Sequence, residues 1–332
     1  MNIIILLIIC LLQYVNSYLR SSICTTSSSS SNNQLNNMKS SLTSLLATKD
    51  VMVNGMPGLM ALETAIACID RGFNLVPIGF TGPDSPKSIV VKGKTRSQEI
   101  ELIKGPGISN PDDVDKVMKR IKKDYPNMIT IDFTHPTAIY NNLQTYVDYQ
   151  CDFVMGTTGG DQTKQKEIFD KGDIYAVIAP NMAKQIVAVQ AALLAMAQRF
   201  PKSFEGYKLV VTESHQKTKA DTSGTAKAIV SHLATLNGKN FSIDEIVMLR
   251  DEKNQLAFNV PKEFIDGHAF HTYTLTSSDG TVQFQLQHNV CGRRVYAEGT
   301  ADAVEFVAKV RQQQQVKRLY NMIDVLEAGA MG

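Results

Sequence analysis

A two-part α/β fold is predicted by three observations. Wholly apolar, strand-like runs at residues 51–54, 128–134, 152–155 and 175–178 stop at turns rich in Gly, Thr and Pro. A glycine turn opens a helix directly after the first run. Near residue 183 the pattern changes to strands that alternate apolar and polar residues. Together these predict an N-terminal parallel sheet of the Rossmann type and a second, mixed α+β part.

The first unit begins at Val51-Met-Val-Asn-Gly-Met-Pro-Gly-Leu-Met60. Leu62, Ala65, Ile66 and Ile69 then recur at helical spacing, Gly72 closes the helix, and a second apolar run follows at 73–80. Strand, helix, strand is a βαβ unit, and Gly55-x-x-Gly58-x-x-Ala61 is a loose dinucleotide fingerprint. Gly55 allows the tight turn, Gly58 lets backbone approach a pyrophosphate, and Ala61 is small enough for helix–strand packing. Three more strand ends, Asp132-Phe-Thr-His-Pro136, Gly156-Thr-Thr-Gly159 and Ala179-Pro-Asn-Met182, offer backbone amides where ligands of parallel sheets lie. The acidic residue that usually holds a ribose hydroxyl is replaced by residues 77–83, which favours NADPH over NADH, with Lys87 as candidate phosphate partner.

With 332 residues, 43% of them hydrophobic, the chain is long enough for two cores. A net charge of +2 gives no field suited to nucleic acid. Cys10, Cys24, Cys68, Cys151 and Cys291 are scattered and read as free thiols of a reducing compartment. Residues 1–49 read as a leader outside the fold. Residues 2–12 have the length of a signal-peptide core, and 18–49 are rich in Ser, Thr and Asn with Arg20, Lys39 and Lys49 and no acidic residue. That two-part address is similar to those of plastids acquired by secondary endosymbiosis; secretion with a Ser-rich stalk is the alternative. No membrane segment is expected in the mature form.

In the second part, residues 184–199 read as a long apolar helix and 207–212 as a strand. Glu213-Ser-His-Gln-Lys-Thr-Lys-Ala-Asp-Thr-Ser-Gly-Thr-Ala226 then leads into a helix. A loop so rich in donors, with His215 and Lys219, suits an anionic ligand. Ser223, Gly224 and Thr225 would offer free amides at a helix start. Residues 270–275 and 282–288 form an antiparallel hairpin with one wet face, and 302–311 and 316–327 are helical. His268, His271 and His288 have no carboxylate or cysteine at ligand spacing, so structural roles and no metal are expected. His135 and His232 read as structural or exposed, Arg294 as solvated, and the lysines of 116–123 as a solvated helix face.

Taken together, Val53-Asn-Gly-x-x-Gly-x-Met60, Asp132-Phe-Thr134, Val154-Met-Gly-Thr-Thr-Gly-Gly-Asp161, Ala179-Pro-Asn-Met-Ala-Lys-Gln185, the 213–226 loop, Gly267-His-Ala-Phe-His271, Gln287-His-Asn-Val-Cys-Gly-Arg293, Tyr296-Ala-Glu-Gly299 and Asn321-Met-Ile-Asp-Val-Leu326 resemble the 4-hydroxy-tetrahydrodipicolinate reductases (dihydrodipicolinate reductases) of lysine biosynthesis, plant-type branch. The resemblance spans about residues 51–330. It implies a Rossmann domain of residues 50–182 rejoined by 294–332, and a mixed α+β domain of 183–293 whose open sheet carries substrate and subunit contacts in a dimer or tetramer. It implies NAD(P)H-dependent reduction of a cyclic dicarboxylate with loss of water.

The resemblance places the cofactor on Gly55, Met56, Pro57, Gly58, Leu59 and Met60, on Phe80, Thr81 and Phe133, on Gly156, Thr157 and Thr158, and on Ala179, Pro180, Asn181 and Met182. His215 matches the general acid and Lys219 the second catalytic position. Gln216, Lys219, Ser223, Gly224, Thr225 and Arg293 match substrate contacts. Gln216 stands where bacterial members have a second histidine, and Leu59 and Ala61 where a basic residue and a third glycine are common. Two other readings stay open. One is a different two-domain dehydrogenase, acting on aspartate semialdehyde or homoserine; the other is a dinucleotide sensor that has lost its chemistry.

Overall fold

The structure, a computed structural model, describes residues 49–157 and 159–329; the leader lies outside these residues except for Lys49, and so does Thr158. β1 (Asp50–Asn54) leads through the glycine turn into α1 (Leu59–Asp70). The run at 73–80 is not the single strand expected. It breaks into β2 (Asn74–Leu75), parallel to β1, and β3 (Ile78–Thr81), which belongs to another sheet. Pro77 sits at the break, since it has no N–H to give a ladder. β4 (Ser88–Lys92) and β5 (Ser97–Lys104) complete that small sheet in the order β3-β5-β4.

α2 (Pro111–Asp124) starts where the Asn110 side chain accepts from the Asp112 N–H and proline takes the first turn. It buries Val114, Met118 and Ile121 and keeps Lys116 and Lys119 in solvent, as the charge run predicts. β6 (Ile129–Asp132), α3 (Ile139–Asp148), β7 (Asp152–Met155), α4 (Gln162–Phe169) and β8 (Ala176–Ile178) follow in strict alternation.

α5 (Lys184–Arg199) has the bounds predicted. β9 (Lys208–His215) runs three residues beyond the strand expected, and α6 (Gly224–Asn237) begins two residues early, so the connection shrinks to 216–223. β10 (Val247–Leu249) and α7 (Glu252–Ala257) precede the hairpin of β11 (His268–Thr276) and β12 (Gln283–Cys291). The order β10-β9-β11-β12 is mixed: β10 runs parallel to β9, and β11 is antiparallel to both its neighbours.

The last segment departs most from expectation. α8 (Arg294–Gln312) starts eight residues before the predicted helix, and the run at 316–327 is not one helix. It holds β13 (Leu319–Tyr320), parallel to β8, before α9 (Met322–Glu327), which opens with an Asn321/Asp324 capping box. The large sheet therefore reads β13-β8-β7-β6-β1-β2, parallel throughout. Its strands are buried on both faces, which is why they are mostly apolar on both, with polar exceptions such as Asn54, Thr130 and Asp132 buried too. Val51, Val53, Ile131 and Val154 pack with α1, α8 and α9, while Met52, Phe153 and Met155 pack with α2, α3 and α4.

Ion pairs rivet α8 to α1. Arg71 bonds Glu298 (2.8 Å) and Asp302 (2.5 Å), and Arg294 reaches Asp70 (3.0 Å) and Glu298 (2.5 Å), so Arg294 is a clasp and not the solvated residue expected. Under this clasp Cys68 is buried and its thiol is pushed up to about 12 by loss of solvent. Cys151 is buried and Cys291 exposed; all three are free. No described helix is long and apolar enough to cross a membrane.

Candidate active site

The strand ends of the large sheet form a rim built from backbone. Gly55 holds φ +102°, and a Cβ there would stand 2.2 Å from the Phe133 carbonyl oxygen. At Gly58 a Cβ would meet the Gly55 oxygen at 2.7 Å, and at Gly156 the Phe133 ring at 2.2 Å. Phe133 is thus the wedge between two glycine turns. α1 begins at Gly58 with no side-chain cap and no acidic residue in its first turn. Its free amides and positive dipole end suit a pyrophosphate. These features fit a dinucleotide.

Beneath the rim the side chains are consumed by one buried hub. Asp132 accepts from the Thr134 amide (3.0 Å) and hydroxyl (2.7 Å), Asn142 (2.9 Å), Tyr146 (2.7 Å) and Thr157 (2.9 Å). Asn54 donates to the Tyr146 hydroxyl (2.9 Å) and accepts from the Phe80 amide (2.8 Å). Burial, then the Asp132 charge, holds the Tyr146 phenol well above its usual range. So Thr157, expected as a hydroxyl contact, has its side chain turned inward. Phe80, Ala179 and Met182 are core residues, and the Thr81 hydroxyl bonds the Met56 carbonyl (2.6 Å). Any cofactor contact from these positions is through backbone. Met56–Pro57 is cis, Leu59 and Pro180 are exposed, and Met60 is half-buried. A cleft of about 240 Å³ opens beside this rim between Thr81, Pro83, Gly105, Ile108, Thr134 and His135, and none of its lining is acidic. His135 is exposed, as expected; Lys87 is not part of that lining.

The mixed sheet ends in side chains instead. Pairing sets Glu213 opposite His271 and His271 opposite His288, with His215 opposite the small Ala269. The room at Ala269 lets His271 reach diagonally, and its Nε2 lies 3.2 Å from Nε2 of His215. His271 stacks on His288 with centroids 4.6 Å apart. Glu213 is wholly buried, pairs with Arg250 and accepts from the Ser223 amide (3.0 Å). Its Oε2 is 3.8 Å from His271 Nε2. Gln255 ties down the His215 carbonyl (2.8 Å). Burial first, then Arg250 and Lys219, pulls His215 down to about 3, and burial alone takes His288 to about 4. His271 is pushed well below its usual value by burial and then by its histidine neighbours.

For His271, though not for His268 or His288, this cluster corrects the reading that no carboxylate falls at ligand spacing. Ligand atoms of Glu213, His215 and His271 lie within 4.8 Å of one another, a spacing a metal ion could use. The donor set argues against one, because Arg250 and the Ser223 amide already occupy the Glu213 oxygens. His268 is structural, as expected: Ser214 Oγ lies 2.8 Å from its Nε2 and the Phe264 carbonyl 2.9 Å from its Nδ1. His232 is half-buried on α6. Glu213, Arg250 and His271 are the site residues that sequence reasoning missed.

The remaining expected contacts surround this cluster. Lys219 is bridged to Asp221 (2.7 Å) at the surface, not free as a point charge. Ser223 caps α6 without a side-chain bond, and a Cβ at Gly224 would meet no protein atom, leaving that space open to a ligand. The Gln216 side chain is half-buried. Arg293 precedes α8 with its guanidinium against Gly267. A bond from Asn181 Nδ2 to Thr225 Oγ1 (2.8 Å) joins the two rims.

Residues 50–182 match the family described as dihydrodipicolinate reductase, N-terminus, and residues 186–326 match dihydrodipicolinate reductase, C-terminus. The chain is 44% identical over 283 residues to 4-hydroxy-tetrahydrodipicolinate reductase 2, chloroplastic, of Arabidopsis thaliana, covering 85% of this chain and 78% of the relative. It is 46% identical over 284 residues to reductase 1, chloroplastic, of the same plant, with the same coverage. A dipicolinate-bound dihydrodipicolinate reductase from Paenisporosarcina sp. TG-14 shares the fold at a TM-score of 0.55 and 16% identity, covering 83% of this chain and 98% of that one.

Proposed function

The chain belongs to the dihydrodipicolinate reductase family, and from that premise we propose that it reduces 4-hydroxy-tetrahydrodipicolinate to tetrahydrodipicolinate, with loss of water, in the diaminopimelate route to lysine. A nicotinamide dinucleotide is the reductant and supplies the hydride when bound. The observation that carries the assignment of parts is the His215–His271 pair beside the start of α6, joined to the glycine rim through Asn181 and Thr225.

Residues 50–182 with 294–332 form the dinucleotide-binding domain, and 183–293 bind substrate. Gly55 to Met60 and the start of α1 hold the pyrophosphate through amides. The turns at Phe80–Thr81, Phe133, 156–158 and 179–182 complete the dinucleotide cradle through backbone. The lack of an acidic residue in the cleft by Thr81 favours NADPH over NADH.

The substrate carries two carboxylates. One meets the free amides of Gly224 and Thr225 beside Ser223; the other meets Lys219, which exchanges its exposed partner Asp221 for the substrate. Arg293 and Gln216 close the site. His215 supplies the proton that balances the hydride. Its neutral resting state follows from burial and cationic neighbours, and a bound dicarboxylate reverses that field and favours the charged ring.

The protein acts in a plastid, reached through the leader, as its chloroplastic relatives do by name. It works as a homo-oligomer, dimer or tetramer, through the mixed-sheet face that carries Val210, Gln285 and Gln287 into solvent. The test is an assay of the chain lacking residues 1–49 with aspartate semialdehyde, pyruvate and dihydrodipicolinate synthase, following oxidation of NADPH and NADH. Oxidation that depends on the synthase and pyruvate is expected. Its absence with both nucleotides sinks the reading, and oxidation without pyruvate points to a semialdehyde or homoserine enzyme instead.

A further inference from the structure

We propose that His271 is the positioning residue for the proton donor: it occupies Nε2 of His215, which makes Nδ1 the nitrogen through which His215 delivers its proton. This rests on the reading of His215 as that donor. The geometry is a side-chain pair held by three strands. Nε2 of His271 and Nε2 of His215 are 3.2 Å apart, their ring planes cross at 71°, and a single hydrogen is shared between them. Nδ1 of His271 is buried without a partner, whereas the His215 ring also faces the backbone of His268, in a hydrogen bond that favours hydrogen on the ring.

Which ring gives the shared hydrogen can be read from the surroundings. Nδ1 of His271 is buried without a partner. A hydrogen there would be an orphaned donor, which is costly, whereas a bare lone pair is better tolerated. The Glu213 carboxylate lies 3.8 Å from Nε2 of His271 and favours a hydrogen on that atom. In the resting enzyme His271 therefore donates from Nε2, His215 accepts at Nε2, and the remaining hydrogen of His215 sits on Nδ1. The other groups that face His271 are His288 from β12, Tyr273 on its own strand, Arg250 after β10 and Lys219 in the 216–223 connection. Arg250 is spent on Glu213, so the carboxylate orients the ring without drawing a proton onto it. When substrate charges the pair it holds three hydrogens: His215 carries two, while His271 accepts at Nε2 and holds its own on Nδ1, an orphaned donor whose cost the negative charge of the substrate offsets; Nδ1–H of His215 remains the one not shared with His271.

The sequence leaves His215 alone in its loop with Gln216 beside it. The register of β9 against β11 supplies its companion from 56 residues away.

Two measurements on the full protein test this. In wild-type enzyme labelled with ¹⁵N-histidine, long-range ¹H–¹⁵N correlations near neutral pH should show His215, assigned by loss of its signals in His215→Gln, with hydrogen on Nδ1 and none on Nε2. The opposite tautomer overturns the proposal, whatever any variant does. In kinetics, His271→Phe keeps a ring to stack on His288 but has no nitrogen; kcat should fall at least about tenfold with KM within about twofold. His271→Gln, whose amide can reach His215 Nε2, should recover kcat to within about threefold of wild type. Full activity in His271→Phe overturns the proposal, as does a His271→Gln no faster than it. Full activity in His215→Gln would instead remove the donor reading, and the tautomer result would still stand by itself.

Discussion

At the end of the parallel sheet Asp132, Asn54, Tyr146 and Thr157 bond one another in a hub, with Asn142 Oδ1 left without a partner, and the turns above it are built on glycine. At the end of the mixed sheet the buried polar groups are left partly open, with Nδ1 of His271, Nε2 of His288 and the Tyr273 hydroxyl unpartnered. The first arrangement recognises a ligand by shape and dipole. The second keeps groups whose protonation can change during a reaction. One rim holds and the other reacts, and each should fail differently when broken.

The largest effect is expected from Gly55→Ala. The new Cβ meets backbone at 2.2 Å in a left-handed conformation, so dinucleotide affinity should drop by at least about a hundredfold, or the fold should lose about 2–4 kcal/mol. Calorimetric titration with NADPH beside a thermal melt separates the two, and an unaltered affinity and Tm would remove the glycine turn from the site. His215→Gln comes next: kcat should fall by about one or two orders of magnitude with nucleotide binding intact. Weakened NADPH binding in that variant would blur the division between the rims.

Acidification should strike the mixed sheet first. Its histidines are held below 6.5 in the folded chain, so below that value the unfolded state takes up protons that the folded state refuses. Stability present above pH 6.5 is therefore lost as pH falls towards about 4, and the slope of Tm against pH should flatten in His288→Gln. An unchanged slope would mean that carboxylates elsewhere set the acid limit. The smallest effect belongs to Asp221→Asn. The pair with Lys219 is exposed, so stability should move by less than about 0.5 kcal/mol. Substrate KM should fall slightly as Lys219 is released; a rise would make Asp221 part of the site.

The holding rim was legible in the chain because glycines announce their backbone needs locally. Gly55, Gly58 and Gly156 stand where the apolar runs stop, and the helix start follows at once. The reacting rim was half legible. His215, Gly224 and Thr225 share one stretch, but Glu213 was read as loop, because a polar tripeptide ending an apolar strand looks like its exit. It is strand, since His271 and Arg250 wait across the sheet to satisfy it. No local spacing encodes such a pair; only register does. The break at Pro77 was there to be read, whereas β13, two residues long between a glutamine run and a capping box, has too little pattern to announce a strand.

The return of α8 and β13 to the first sheet bears on how the chain comes off the ribosome. β1 and α1 emerge early, yet their apolar faces at Val51, Val53 and Ala65 are covered by Ala301, Val304 and Val307, synthesised some 240 residues later. Until then the nascent sheet has a bare flank and an unfilled edge beside β8. A ribosome stalled before residue 294 should carry a protease-sensitive N-terminal half, and one stalled well past 329 a resistant one. Joining the chain's end to Asp50 and opening it in the exposed turn at 277–282 would reverse that order, with α8 made before the sheet it seals.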